Sequence, residues 1–158
     1  MKKLNAIELF LDLEATIIDN CHDFLFLPSK CEKIRNYIHE NKITHITILS
    51  FAIDNEKDVT MFEKEFKEDV ERVLNAKITN VLSVDHVMKV LGFTRSMSLF
   101  TFKSFGKQSA FITLIERIKQ DEFDYVLIDD MVENATLTFH DSGNKIQLIN
   151  IDSWETSS

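Results

Sequence analysis

Glycine, proline and cysteine are all scarce in this chain. Three glycines and one proline predict few tight turns and short polar connections between elements. Two cysteines, Cys21 and Cys31, form no CxxC pair, which excludes a disulfide framework and favours a reducing compartment.

Long apolar runs and positive charge are also lacking. No segment approaches the roughly 18 apolar residues that a membrane-spanning helix needs, and acidic Glu8 and Asp12 follow too soon after the N-terminus for a signal peptide. A net charge of -8 disfavours non-specific nucleic-acid binding, which depends on clustered Lys and Arg. We therefore expect a cytoplasmic protein without membrane contact, which can still hold a small phosphorylated substrate at one local site.

The composition is that of a globular protein, since 44% of the 158 residues are hydrophobic. This length suits one domain over residues 1–158. We expect its core to span about residues 7–151 and its tail, residues 152–158, to be frayed.

Apolar β-rich runs alternate with amphipathic segments along the chain. The predicted strands cover residues 6–13, 43–53, 124–129 and 145–151. The predicted helices cover residues 28–42, 57–77, 83–92, 106–120 and 131–140. Ser29 and Ser83 are N-cap candidates, and Gly92 is a helix stop. The alternation predicts an α/β fold, a Rossmann-like three-layer sandwich around a mainly parallel sheet of about five strands.

Acids and a hydroxyl lie at the ends of three of the predicted strands, and a lysine begins the helix that leads to the third. In parallel sheets, ligands bind beyond the carboxyl ends of the strands, near a switch in strand order. We therefore expect these side chains to meet at one edge of the sheet. They are Asp12 and Glu14 at the end of the first strand, Ser50 near the end of the second, Asp129 and Asp130 at the end of the third, and Lys107 at the start of the helix.

Phosphoryl transfer is the chemistry that uses this set of side chains. One carboxylate can attack phosphorus and form an acyl phosphate. A second carboxylate, two residues further on, can protonate the leaving group and then activate water. Other carboxylates hold Mg²⁺, while a hydroxyl and a lysine bind the phosphoryl oxygens.

The ordered stretches "LDLEAT", "ITILS", "GKQSAF" and "VLIDDMVEN" resemble the four motifs of the haloacid dehalogenase (HAD) superfamily of phosphatases, over roughly residues 7–151. The resemblance implies an aspartyl-phosphate mechanism with Asp12 as nucleophile and Glu14 as general acid/base. It also implies that Ser50 and Lys107 bind phosphate. The implied Mg²⁺ ligands are Asp12, the backbone carbonyl of Glu14, Asp129 and Asp130.

Two features set this chain apart within the pattern. The acid/base position of the family is usually Asp, and Glu14 adds a methylene group that moves the carboxyl by about 1 Å. The stretch 17–28 is long enough for a flap hairpin and too short for a cap domain. The resemblance therefore implies a capless member, and such members often act on large substrates or close their sites as homo-oligomers. The substrate stays open among nucleotides, nucleic-acid ends and phosphoproteins.

Two other functions fit parts of the pattern. A DEDD-type 3′-5′ exonuclease also begins with a D-x-E-x-T strand, and Tyr125 precedes Asp129 by four residues. That fold, however, continues from its first strand into an antiparallel neighbour, and it gives Ser50 and Lys107 no role. The other alternative is a catalytically weak HAD-like module that binds a phosphorylated ligand or a protein partner, for which Glu14 is the main support.

Overall fold

The computed structural model describes residues 5–20, 22–92, 110–130, 136–141 and 143–154. Their strands form one six-stranded sheet in the order β3-β2-β1-β4-β6-β5. Five strands are parallel, and β5 runs antiparallel to β6 at one edge. The strands are β1 Ala6–Leu11, β2 His45–Leu49, β3 Asn80–Leu82, β4 Phe123–Asp129, β5 Thr136–Asp141 and β6 Asn144–Asn150.

Helices cover both faces of this sheet. The helices are α1 Pro28–Glu40, α2 Glu56–Glu65, α3 Lys67–Leu74, α4 Val84–Leu91 and α5, which covers residues 110–118. At α4 the predicted signals are confirmed, because the Ser83 side chain accepts a hydrogen bond from the His86 N–H and Gly92 adopts a left-handed conformation.

Two apolar cores lie on opposite faces of the sheet because side chains alternate along each strand. Leu9 and Leu11 of β1 belong to the core beneath α1, α2 and α3. Phe10 of the same strand belongs to the core beneath α4 and α5, where it packs edge-on against Phe111 with ring centroids 5.2 Å apart. The predicted Rossmann-like three-layer sandwich without a large cap is therefore confirmed.

Several local predictions need correction. The helix predicted over residues 57–77 is two helices, which meet at Phe66 (φ −128°). The helix predicted over residues 131–140 is wrong from residue 136 onward, where β5 pairs with β6; residues 131–135 lie outside the described residues. Ser29 is not an N-cap, since Leu27 holds that position and α1 begins at Pro28. The short strand β3 was not predicted.

The strand order reverses direction at β1. From β1 the chain passes through α1 to β2 on one side, whereas β4 pairs with β1 on the other side. Such a switch in order opens a crevice at the carboxyl ends of the two strands. Residues 12–20 leave β1 at this point.

The segment that follows β1 folds back as a short hairpin. Ile18 and Phe26 form an antiparallel bridge, and the Leu27 N–H donates to the Ile17 carbonyl at 2.9 Å. We call the described residues 17–20 and 22–28 the flap. It lies where the sequence predicted a hairpin, beside the carboxyl end of β1.

Candidate active site

Asp12 and Asp129 lie side by side across the switch in strand order. The Asp12 N–H donates to the Ile128 carbonyl at 3.2 Å, which extends the β1–β4 pairing by one residue beyond the Leu11–Ile128 pair. Both side chains are buried, with Asp12 6% exposed and Asp129 fully buried. Buried carboxylates need compensating partners, so this placement calls for a positive charge or donors nearby.

Asp130 completes a cluster with these two acids. One carboxylate oxygen from each of Asp12, Asp129 and Asp130 lies within 4.8 Å of the other two, an arrangement that could hold a metal ion. Burial raises the pKa of Asp130 to about 7, and hydrogen bonds to Asp129 and Asp12 and their negative charges act in the same direction. A cation among the three would offset this accumulation of negative charge.

A tight loop positions Asp12. The Leu13 carbonyl accepts hydrogen bonds from the N–H groups of Thr16, Ile17 and Ile18, and Ala15 takes a left-handed conformation with φ 60°. This turn places the fully buried Thr16 beneath Asp12, where its hydroxyl donates to Asp12 Oδ2 at 3.1 Å. Thr16 therefore helps to orient the carboxylate.

Glu14 lies in the same loop with an exposed side chain. Its carboxylate is not part of the cluster of three aspartates. The side chain is instead exposed to solvent. Its backbone forms a bridge with Ile18.

Ser50 follows β2 at the same edge of the sheet and is buried. Its hydroxyl oxygen accepts a hydrogen bond from the Ala52 N–H at 3.3 Å, which stabilises the turn after β2. The hydroxyl hydrogen can still be donated elsewhere. Lys107 lies outside the described residues.

Lys30 and Asn150 contact the site, although the sequence did not single them out. Lys30 Nζ donates to the Ala15 carbonyl at 2.6 Å and pairs with Asp152 at 2.6 Å. Asn150 Nδ2 donates to the Asp130 carbonyl at 3.4 Å. Asn150 ends β6, at the same edge of the sheet as the predicted acids, so its position was a usable signal. Nothing in the sequence distinguishes Lys30 from other helix lysines.

Comparison with known proteins found no matching family model, curated protein or solved structure. Within the described ranges, no helix combines the length and apolar character that crossing a membrane requires. The function must therefore be argued from the chemistry of the residues at the carboxyl edge of the sheet.

Proposed function

We propose that this protein is a Mg²⁺-dependent phosphatase of the HAD type that hydrolyses a phosphate monoester through an aspartyl-phosphate on Asp12. The observation that carries the proposal is the meeting of Asp12, Asp129 and Asp130 across the switch in strand order. Residues far apart in sequence converge there, in the crevice where sheets of this type bind ligands.

The donor set suits Mg²⁺. All three members of the cluster are carboxylates, and Mg²⁺ prefers oxygen ligands and keeps several waters. Asp12, Asp129 and Asp130, together with the backbone carbonyl of Glu14, would hold the ion. When bound, it would neutralise negative charge where the nucleophile and the phosphate group meet.

In the proposed reaction, an oxygen of Asp12 attacks phosphorus and the bond to the ester oxygen breaks. The leaving oxygen takes a proton from Glu14. Glu14 then accepts a proton from water, whose oxygen attacks the phosphorus of the aspartyl-phosphate. This second attack releases inorganic phosphate and restores the Asp12 carboxylate.

The remaining predicted residues have roles in binding. Ser50 and Lys107 would bind the phosphoryl oxygens and balance their charge. Thr16 supports the proposal because it donates to one oxygen of Asp12, which orients the carboxylate for attack. The exposed side chain of Glu14 is available to a leaving group that enters from solvent.

The exonuclease alternative finds less support. Its fold pairs the first strand with an antiparallel neighbour, whereas β1 is parallel to both β2 and β4. The binding-module alternative differs from the phosphatase only in turnover, so it must be separated from it by experiment.

The first experiment is hydrolysis of para-nitrophenyl phosphate with Mg²⁺ and with EDTA. We expect Mg²⁺-dependent turnover that is abolished by Asp12→Asn. Asp121→Asn is the matched control, since Asp121 is exposed and precedes β4 at the opposite edge of the sheet. Full activity of Asp12→Asn would contradict the covalent mechanism. Magnesium binding without hydrolysis of any phosphate ester would favour the binding module.

A further inference from the structure

A pocket of about 200 Å³ lies at the carboxyl edge of the sheet, between the flap and the turn after β2. Two residues that line the pocket are close in sequence to residues of the candidate active site. Leu13 follows Asp12 directly, and Ala52 donates its N–H to Ser50. The lining consists of Leu13, Phe24, Ala52, Ile53, Asp58, Met61, Phe62 and Phe66.

The walls of this pocket are aromatic and apolar. Phe24 of the flap stacks on Phe66, with ring centroids 3.9 Å apart and planes at 13°. Phe66 lies at the junction of α2 and α3, so the break between these helices places its ring at the pocket. Met61 is 56% exposed, so its apolar side chain is accessible to a ligand in the pocket.

One charged group interrupts the apolar lining. Asp58 lines the pocket, and its Oδ2 accepts a hydrogen bond from the Asp54 N–H at 2.9 Å. A carboxylate has two oxygens and room for several donors. A flat ring that carries N–H groups therefore matches this pocket better than a plain hydrocarbon does.

The size and position of the pocket limit the ligand further. Pockets for whole drug-sized ligands measure about 300–1,000 Å³, so about 200 Å³ holds one ring system. The clustered acids and Ser50 do not line it; their sequence neighbours do. A ligand that occupies both places therefore needs a spacer between its ring and its phosphate.

We propose that this pocket receives the base of a nucleoside monophosphate whose phosphate is bound at Asp12. The inference rests on the proposed phosphatase function and names its substrate class. The base is the flat ring with N–H donors, and the sugar is the spacer. Hydrolysis breaks the P–O bond to the sugar; the sugar oxygen takes a proton from Glu14, and water supplies the new oxygen of inorganic phosphate.

The test compares kcat/KM for the four common ribonucleoside monophosphates with kcat/KM for ribose 5-phosphate, which lacks the base. We expect kcat/KM for at least one nucleotide to exceed kcat/KM for ribose 5-phosphate by about tenfold or more, because stacking of one base on an aromatic ring contributes about that much. Phe24→Ala should lower the ratio of kcat/KM for the preferred nucleotide to kcat/KM for ribose 5-phosphate by about tenfold. Asp58→Asn should lower the same ratio. Leu25→Ala is the flap control, since Leu25 is 62% exposed and does not line the pocket.

A second measurement does not depend on turnover. Nucleosides without phosphate are titrated into protein labelled at the methionine methyl groups, and the Met61 signal is assigned with Met61→Leu. We expect the Met61 signal to shift, because an aromatic ring nearby changes its shielding. A shift of the Met61 signal without hydrolysis of any phosphate ester would support base binding in this pocket and contradict the proposed phosphatase activity. Hydrolysis without nucleotide preference and without a Met61 shift would overturn the base pocket alone.

Discussion

The Thr16 hydroxyl donates a hydrogen bond of 3.1 Å to Asp12 Oδ2, and both side chains are buried. This contact is made within one loop, four residues apart, at the point where β1 ends. It helps to orient the candidate nucleophile, together with the hydrogen bond between Asp12 and Asp130.

Replacing Thr16 should therefore affect catalysis through Asp12. Thr16→Val keeps the shape and removes one donor, and the loss of a hydrogen bond to a buried acceptor costs about 1–3 kcal/mol. We expect kcat for para-nitrophenyl phosphate to fall about tenfold or more, while Thr16→Ser retains most of it. Equal kcat values for Thr16→Val and wild type would show that the hydroxyl does not orient the nucleophile.

Lys30 is expected to act as a positioning residue. It joins the loop after β1, through the Ala15 carbonyl, to Asp152 in the turn after β6. Lys30→Met should lower kcat several-fold with little change in KM, and Lys30→Arg should restore part of it. Asp152→Asn is the control, because the exposed ion pair alone is worth at most about 1 kcal/mol. A purely structural role would change the urea midpoint of unfolding and leave kcat unchanged.

Asp130→Asn should have opposite effects on stability and on metal binding. Three carboxylates meet within 4.8 Å, and two charges at that distance repel by about 1 kcal/mol even in water. In EDTA, we expect the variant to unfold at higher urea than wild type. Calorimetric titration with Mg²⁺ should show weaker binding. Lower stability of the metal-free variant would indicate that the three acids do not repel one another in the folded state.

Glu14→Gln separates the two halves of the proposed reaction. Para-nitrophenolate leaves without a proton, so the first step should survive, whereas activation of water should fall by about 10²-fold or more. We expect a burst of product equal to the enzyme concentration and a phosphorylated protein detectable by mass spectrometry. An alkyl phosphate should show no burst. Loss of both steps with para-nitrophenyl phosphate would assign Glu14 another role.

Glu8 at the opposite edge of the sheet predicts a dependence of stability on pH. Burial raises the pKa of Glu8, although the hydrogen bond from Thr47 and the charge of His45 lower it. A carboxyl whose pKa is higher in the folded state stabilises the fold below its unfolded pKa, and this contribution is lost as pH rises through the folded pKa. The urea midpoint of unfolding should therefore fall less steeply above about pH 4 in Glu8→Gln than in wild type. An unchanged slope would show that Glu8 titrates alike in both states.

The acids of the site could be predicted from sequence because their placement depends on strand ends alone. Asp12 and Asp129 follow apolar runs, and parallel pairing brings such ends to one edge. Lys30 could not be predicted, because its contact with Ala15 depends on how α1 packs against the loop. The strand at residues 136–141 is stabilised by antiparallel pairing with β6, its neighbour in sequence, and such pairing can override the local propensity of a short segment. The break at Phe66 lies inside a continuous amphipathic pattern and likewise left no local signal.

The sheet separates the face that carries Asp129 from the face that carries the proposed base pocket. Asp129 continues the face of β4 that carries Tyr125 and Leu127, on the side of α4 and α5. Phe62 and Ile53, which line the pocket, belong to the core on the side of α1, α2 and α3. If the pocket binds the base as proposed, substitutions in one layer alter which molecule is recognised while the charged centre on the other layer is preserved. A fold divided in this way would let selection change substrate preference and chemistry one at a time.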